Sequence, residues 1–207
     1  MLAELVLAVS VNIVIDQCGG LSPAHCRLAV TEMAEIWRDA GVEVVSRPAD
    51  EQSLQGEAAV SLRIVTFAIN PNARGEPVLG SVAVDPGGRM RPVILVSLPA
   101  LRLALADADV GGIAFDRLTS DLRSQLAARA IGRIAAHELG HYLLRRAGHP
   151  KKGLMRPSYV ARDLIGAWLG PFRVGVPERS AAVAQIAALA TVQHGTTQPA
   201  RRVPEPR

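Results

Sequence analysis

Aromatic residues and long apolar runs are scarce in this chain, and each scarcity excludes a class of protein. Phe, Trp and Tyr together make up 3% of the 207 residues, so the core must be built from Ala, Val, Leu and Ile. Exposed rings that stack on the bases of single-stranded nucleic acid are therefore not expected. No apolar run reaches the roughly 20 residues that a membrane-spanning helix needs.

Cysteine is also scarce, with Cys18 and Cys26 alone in the sequence. Their separation allows a disulfide, and two free thiols fit the sequence equally well, so the compartment does not follow from them. Neither cysteine stands in a C-x-x-C or C-x-x-H spacing, and we exclude both from a metal site.

Positive charge is concentrated in one short stretch of a chain whose net charge is +4. Residues 145–156 contain five basic side chains and no acidic one: Arg145, Arg146, Lys151, Lys152 and Arg156. A basic patch favours acidic ligands, and a solvated surface loop is the alternative interpretation. Because the basic residues are few and no recognition helix is evident, we do not expect nucleic-acid binding.

The order of apolar patterns predicts an α+β fold. The N-terminal run alternates from Val9 and has no Lys or Arg before it, so we expect a first strand rather than a signal peptide. A helix follows from Ser22 to about Ala40, and a second long helix begins at Thr119 or Ser120 and ends near Arg146. Four more strand patterns lie between the two helices, at residues 42–45, 60–67, 79–84 and 93–98. This order predicts a mixed, twisted five-stranded sheet packed by two long helices.

The chain length fits one domain over residues 1–194. We expect an upper lobe at 1–146 and a small, mostly helical lower lobe at 147–194. The lower lobe is predicted to contain two helices, at 158–169 and 178–193. Residues 195–207 are polar and are predicted to form a disordered tail.

The sequence H-E-L-G-H begins at His137, on the second long helix. Two residues four apart on a helix are separated by about 6 Å along the axis and roughly 40° around it, so His137 and His141 can bind one ion. Glu138 points about 100° away, where it can act as general base on a water at the open side of that ion. A catalytic zinc site has three protein ligands and an open fourth position, which requires a third ligand.

His149 is the preferred third ligand because it follows Gly148, where the helix has ended and the chain can reverse. Its rivals are two carboxylates in the later helices, Asp163 first and Glu178 second. The remaining histidines stand alone and are interpreted as ordinary polar residues: His25 and His194.

The stretch from 137 to 155 resembles the metzincin clan of zinc metalloproteases, whose pattern is H-E-x-x-H-x-x-G-x-x-H followed by a Met-turn. Four residues match it directly: His137, Glu138, His141 and Met155. Gly140 agrees with the common H-E-[LI]-G-H form. The third histidine falls twelve residues after the first rather than ten, and Leu144 stands where a glycine is expected, which resembles a variant bacterial form of the motif.

The resemblance implies a Zn²⁺ cofactor, with Met155 beneath the metal as a hydrophobic base and Tyr159 as an oxyanion stabiliser. It also implies that Gly80, Ser81 and Val82 belong to an edge strand, which pairs with an extended protein or peptide substrate. We further expect a monomer, and the resemblance favours a secreted or periplasmic location.

Two functional hypotheses follow. The first is a zinc metalloendopeptidase, a hydrolase in which Glu138 is the general base. The alternative is a catalytically inactive zinc-bound module that binds a protein partner in its cleft. Glu138 favours the first, because a structural zinc site has four protein ligands and no use for a base.

Overall fold

The computed structural model describes residues 9–47, 58–71, 75–146 and 148–194, so the predicted disordered tail lies outside the described residues. The main sheet has five strands: β1 (Val9–Cys18), β2 (Val42–Arg47), β3 (Ala58–Val65), β4 (Gly80–Val84) and β5 (Met90–Ser97). The α-helices are α1 (Pro23–Arg38), α2 (Leu98–Leu105), α3 (Ser120–Leu144), α4 (Ala161–Ile165) and α5 (Val176–His194). The shorter elements are the hairpin of β6 (Asp109–Val110) and β7 (Ile113–Ala114) and two 3-10 turns, Phe115–Arg117 and Gly170–Phe172. None of the helices described here is both long and apolar enough to cross a membrane.

The main sheet is mixed, as the sequence predicts, with the strand order β2–β1–β3–β5–β4. β1 runs parallel to β2 and β3, β3 runs parallel to β5, and β4 pairs antiparallel with β5. Alternate residues of the central strands are fully buried: Val11, Ile13, Val60, Leu62, Ile94 and Val96. Since alternate side chains of a strand point to the same face, one face of the sheet carries the core, where α1 and α3 pack.

α1 packs along α3 at a distance that a glycine sets. A Cβ at Gly132 would overlap the carbonyl oxygen of Ala29 and the side chain of Glu32 on α1. The fully buried Trp37 donates its indole N–H to the carbonyl of Ala136 over 3.1 Å. These two contacts fix α3 against α1 immediately before the histidine motif.

α3 begins and ends at residues that stop a helix on physical grounds. The Thr119 side chain caps its start by accepting a hydrogen bond from the N–H of Leu122, and Arg145 ends it by adopting the left-handed conformation with φ 50°. Every residue from 130 to 143 is buried, so this half of the helix is surrounded by protein on all sides. Polar side chains in such a helix need partners.

Residues 148–194 contain less helix than the sequence predicts for the lower lobe. The helix predicted over 158–169 is wrong in length, because α4 has five residues. Residues 156–160 lie outside any helix, since the Tyr159 ring stacks on Phe172 and its hydroxyl bonds to the carbonyl of Leu154. Gly166 then leaves the helical conformation, with ψ 163°. The last helix, α5, contacts α3 and the strands β1 and β3.

Cys18 and Cys26 are joined by a disulfide between the end of β1 and the first turns of α1. Two glycines with positive φ, Gly19 and Gly20, make the turn between these elements. Of the two possibilities that the sequence leaves open, a disulfide or two free thiols, the structure contains the disulfide.

Candidate metal centre and active site

Three histidine side chains converge at the C-terminal end of α3. The Nε2 atoms of His137 and His141 are 3.0 Å apart, and the Nε2 atom of His149 lies 3.3 Å from the first and 3.1 Å from the second. His137 and His141 each direct Nδ1 to a backbone carbonyl, that of Leu154 and that of Arg146, over 2.7 Å in both cases. These carbonyls assign the proton to Nδ1, so the Nε2 atoms of both rings carry lone pairs.

Nitrogen lone pairs that face one another are stabilised by a shared cation. A tetrahedral zinc ion with Zn–N distances of about 2.0–2.1 Å holds its nitrogens roughly 3.3–3.4 Å apart, close to the 3.0–3.3 Å observed. A carbonyl at the second ring nitrogen is also the usual outer contact of a zinc-bound imidazole. The cluster formed by the three histidines is therefore compatible with zinc.

The structure brings His149, and neither rival carboxylate, to this cluster. Asp163 is engaged with the guanidinium of Arg156, and the Oε1 atom of Glu178 lies 3.5 Å from Nη2 of Arg146. The two carboxylates instead pair with arginines of the segment between α3 and α4. His25, which the sequence does not place in the site, contacts Ser22 and Asp121.

Burial lowers the pKa of all three imidazoles in the cluster. The effect is largest at His137, where burial lowers the pKa to about 4, although the hydrogen bond to Leu154 acts in the opposite direction. The neighbouring imidazoles lower it further. Because neutral imidazole is the form that binds a metal, these lowered pKa values favour metal binding over protonation.

Glu138 lies against the edge strand β4. Its carboxylate accepts a hydrogen bond from the backbone N–H of Val82. A Cβ at Gly80 would lie 2.8 Å from Cγ and 3.0 Å from Oε1 of Glu138, so only glycine leaves room for this side chain. Burial raises the pKa of Glu138 to about 8, and the N–H of Val82 acts in the opposite direction. A carboxyl with such a pKa exchanges protons near neutrality.

The cluster and Glu138 line one cleft with a volume of about 740 Å³. The edge-strand residues named from the sequence, Gly80, Ser81 and Val82, are part of its lining. Apolar side chains from β4, β5, α2 and α3 form much of the rest: Val84, Met90, Leu103, Ala104 and Ile134. An extended chain with apolar side chains fits the chemistry of this lining.

Met155 is buried, with 2% of its surface exposed, and lies against Gly140 of α3. A Cβ at Gly140 would collide with its Sδ atom, so the glycine of the H-E-L-G-H sequence makes room for the methionine. An ordinary core methionine would be buried as well, and the Met-turn role stays a prediction.

Tyr159 lines the cleft, but its hydroxyl is engaged elsewhere. The hydroxyl donates to the Leu154 carbonyl, which is also the acceptor for Nδ1 of His137. The ring stands edge-on to His137 with 5.9 Å between centroids and stacks on Phe172 at 4.7 Å. In this structure Tyr159 shares the acceptor that orients His137, and the oxyanion role, which requires the hydroxyl to leave Leu154, stays a prediction.

Neither a protein-family model nor a curated protein sequence matches the chain. Solved structures that are similar to it include the following two. The archaemetzincin of Methanopyrus kandleri shares 13% identity, with 90% of this chain and 99% of that chain covered and a TM-score of 0.48. A zinc-dependent peptidase of Methanocorpusculum labreanum (strain Z) also shares 13% identity, with 83% and 99% covered and a TM-score of 0.49. At this distance the likeness carries no argument about activity, which must rest on the residues of the site.

A buried ion pair lies behind the site and is not predicted from the sequence. Arg133 is 1% exposed, and its guanidinium binds Glu32 of α1 with two nitrogens at 2.7 Å. It also donates to the carbonyl of Asp163 and lies 4.9 Å from the centre of the Phe172 ring. Arg133 stands four residues before His137, on the same face of α3. That spacing is the one feature of the sequence that indicates a place for Arg133 near the site.

Proposed function

We propose that the chain is a zinc-dependent metalloendopeptidase, which hydrolyses peptide bonds in protein or peptide substrates. The observation that carries the proposal is the carboxyl of Glu138 beside a three-histidine cluster in one open cleft. Three protein ligands leave a fourth position for water or substrate, whereas a structural zinc site uses four protein ligands. Within the described residues, no fourth His, Cys, Asp or Glu belongs to the cluster.

The division of labour follows from the chemistry of each group. A zinc ion bound by His137, His141 and His149 would supply Lewis acidity, which polarises a carbonyl and lowers the pKa of water. Glu138 would take a proton from the attacking water and deliver it to the leaving amine. The N–H of Val82 and the open space at Gly80 hold its carboxylate in place for both transfers.

β4 supplies a means of aligning the substrate. It is the edge strand of the sheet and pairs only with β5 among the described strands. An extended peptide can add to such an edge through backbone hydrogen bonds. Because Gly80 and Val82 contact Glu138, a peptide bound along this edge would pass the general base.

The test is hydrolysis of casein and of a quenched-fluorescence peptide library by the zinc-loaded protein, with cleavage positions read by mass spectrometry. We expect internal cleavage, which a chelator abolishes and added zinc restores. Glu138→Ala should lower kcat/KM by roughly a hundredfold to ten-thousandfold, the range for loss of a general base. Glu35→Ala removes an exposed carboxylate of α1 and should leave the rate unchanged.

A zinc-loaded protein that cleaves no peptide under broad conditions would contradict the proposal. Such a result, with zinc bound equally by the wild type and by Glu138→Ala, would favour a zinc-bound module that binds a protein partner without cleaving it.

A further inference from the structure

Arg156 is a charged residue of the cleft that the proposed mechanism does not use. It lines the same cleft as His137 and Glu138, and 24% of its side chain is exposed. Among the described residues of this lining, it is the one guanidinium or ammonium group. A cation at this place interacts electrostatically with a molecule bound in the cleft.

The guanidinium of Arg156 is held in place by two neighbours. It lies 4.3 Å from the centre of the Tyr159 ring, in a cation–π contact, and Nη2 pairs with the carboxylate of Asp163. Tyr159 in turn stands edge-on to His137. The guanidinium therefore contacts a ring that itself contacts the histidine cluster. Its position is set before any substrate binds.

Part of the hydrogen-bonding capacity of Arg156 is unused. Nε is buried without a hydrogen-bond partner, and the other guanidinium nitrogens bond to the carboxylate of Asp163 and interact with the hydroxyl of Tyr159. A guanidinium offers five N–H donors in a planar fork that matches a carboxylate. The exposed part of the side chain, rather than the buried Nε, can donate to a second carboxylate, which a substrate can supply.

The chain next to Arg156 is positively charged, whereas the two carboxylates of the cleft lining, Glu76 and Glu138, come from other segments. Lys151 and Lys152 are exposed on the segment that joins His149 to Arg156. Asp163 balances Arg156 itself, so these lysines leave the segment positive. A positive rim beside a cleft attracts acidic ligands.

We propose that Arg156 is a specificity-determining residue that binds a carboxylate of the substrate. The preferred substrates then carry an acidic side chain, or a free C-terminal carboxylate, close to the scissile bond. The inference rests on the proposed peptidase function, and names the substrate class for that same cleft.

Matched peptides test this inference. In a peptide that the zinc-loaded protein cleaves, Glu replaces Gln at one position at a time on both sides of the scissile bond, and a second series compares free with amidated C-termini. At the best position we expect kcat/KM to favour the carboxylate roughly tenfold or more, the scale of one charge-assisted hydrogen bond. The first series responds if the carboxylate belongs to a side chain, and the second if it is the C-terminus.

Variants assign the preference to Arg156. Arg156→Met should bring the ratio close to one, and Arg156→Lys should retain part of it. Because Arg156→Met leaves Asp163 without its cation, the double variant Arg156→Met/Asp163→Asn separates lost recognition from charge imbalance, and should also show a ratio close to one. Arg162→Met removes an exposed cation outside the cleft lining and should keep the wild-type ratio. Zinc content and thermal unfolding report whether each variant is folded. If Arg156→Met is not folded, Arg156→Lys and the double variant decide.

Two results would overturn the inference: no carboxylate preference in either series, or a preference that persists in a folded variant without Arg156. If no peptide is cleaved, the same peptide pairs are compared for binding to the zinc-loaded protein by fluorescence anisotropy. A carboxylate preference that disappears in Arg156→Met would then support recognition by Arg156 while the peptidase proposal fails. Equal binding of both members of each pair would reject both.

Discussion

His137 and His149 contribute equivalent nitrogens to one cluster, but the chain holds them differently. His137 lies in the half of α3 that is buried on all sides, and the Leu154 carbonyl fixes its ring. His149 is exposed and lies beyond the left-handed residue that ends the helix. Two histidines of the cluster and Glu138 are thus positioned by the packing of the core, and the third histidine is positioned by a loop. We expect the metal itself to contribute to holding His149.

The buried half of α3 is also where a single substitution should cost the most. Arg133→Met would leave the buried Glu32 with only the more distant Arg129, whose Nε lies 3.8 Å away, and would remove the contacts to Phe172 and Asp163. Removing one partner of a buried ion pair costs about 3–5 kcal/mol, which urea unfolding of the zinc-loaded protein measures.

The matched control is Arg89→Met, which breaks the exposed pair with Asp85 and should cost less than about 1 kcal/mol. The double variant Glu32→Met/Arg133→Met should recover most of the lost stability, because no buried charge remains. Equal losses for Arg133→Met and Arg89→Met would show that the core helix is not held as the contacts indicate.

The two histidines should differ when each is removed. His137→Ala should weaken zinc binding by roughly a hundredfold or more, since an even share of the free energy of structural zinc sites is about 3 kcal/mol per ligand. His149→Ala should weaken it about tenfold, near the lower end of the effects of lost supporting contacts, because water reaches its exposed position. Competition with a chromophoric chelator measures both affinities, and His25→Ala serves as the control. A larger loss for His149→Ala would reverse the comparison.

Tyr159→Phe tests how the buried ligand is oriented. It removes one of the two donors to the Leu154 carbonyl and leaves the ring stacked on Phe172. Loss of an outer contact of this kind lowers metal affinity by about tenfold, measured by the same competition. Tyr142→Phe makes the same chemical change at a hydroxyl that interacts with Arg145, and should have no effect on metal affinity.

Removal of the metal should speed hydrogen exchange in the loop that contains His149 more than in α3. This is the smallest of the expected effects. After chelation, backbone amides of residues 148–153 should exchange with solvent several-fold faster, because low-stability loops open locally while core helices do not. Amides of residues 131–141 should keep their protection. Hydrogen exchange followed by mass spectrometry compares the two segments within one sample. Uniform acceleration would mean that the metal stabilises the whole domain rather than the loop.

The part of the site that could be predicted from the sequence depends on local geometry. His137, Glu138 and His141 lie on one helix, whose spacing fixes their relative directions. His149 follows within a short loop, so its approach requires no long-range information. The edge position of β4 is implied by the resemblance alone.

The features that the sequence does not reveal join residues far apart in the chain. Arg133 and Glu32 are separated by 101 positions, and the spacing of Arg133 from His137 does not identify Glu32 as its partner. Tyr159 and Phe172 prevent the helix predicted from 158 because their packing overrides local propensity. The raised pKa of Glu138 likewise depends on burial against β4, which no spacing encodes.

The Leu154 carbonyl has a consequence for how the site can vary. It accepts hydrogen bonds from both His137 and Tyr159, and a substitution at position 154 cannot delete a backbone oxygen. Its place depends on Gly153, which has φ +80° and where a Cβ would lie 2.7 Å from the carbonyl oxygen of Arg173. Random mutation of this loop should therefore tolerate apolar replacements of Leu154 and reject nearly every replacement of Gly153. The orientation of the His137 ring thus depends on a residue that has no side chain.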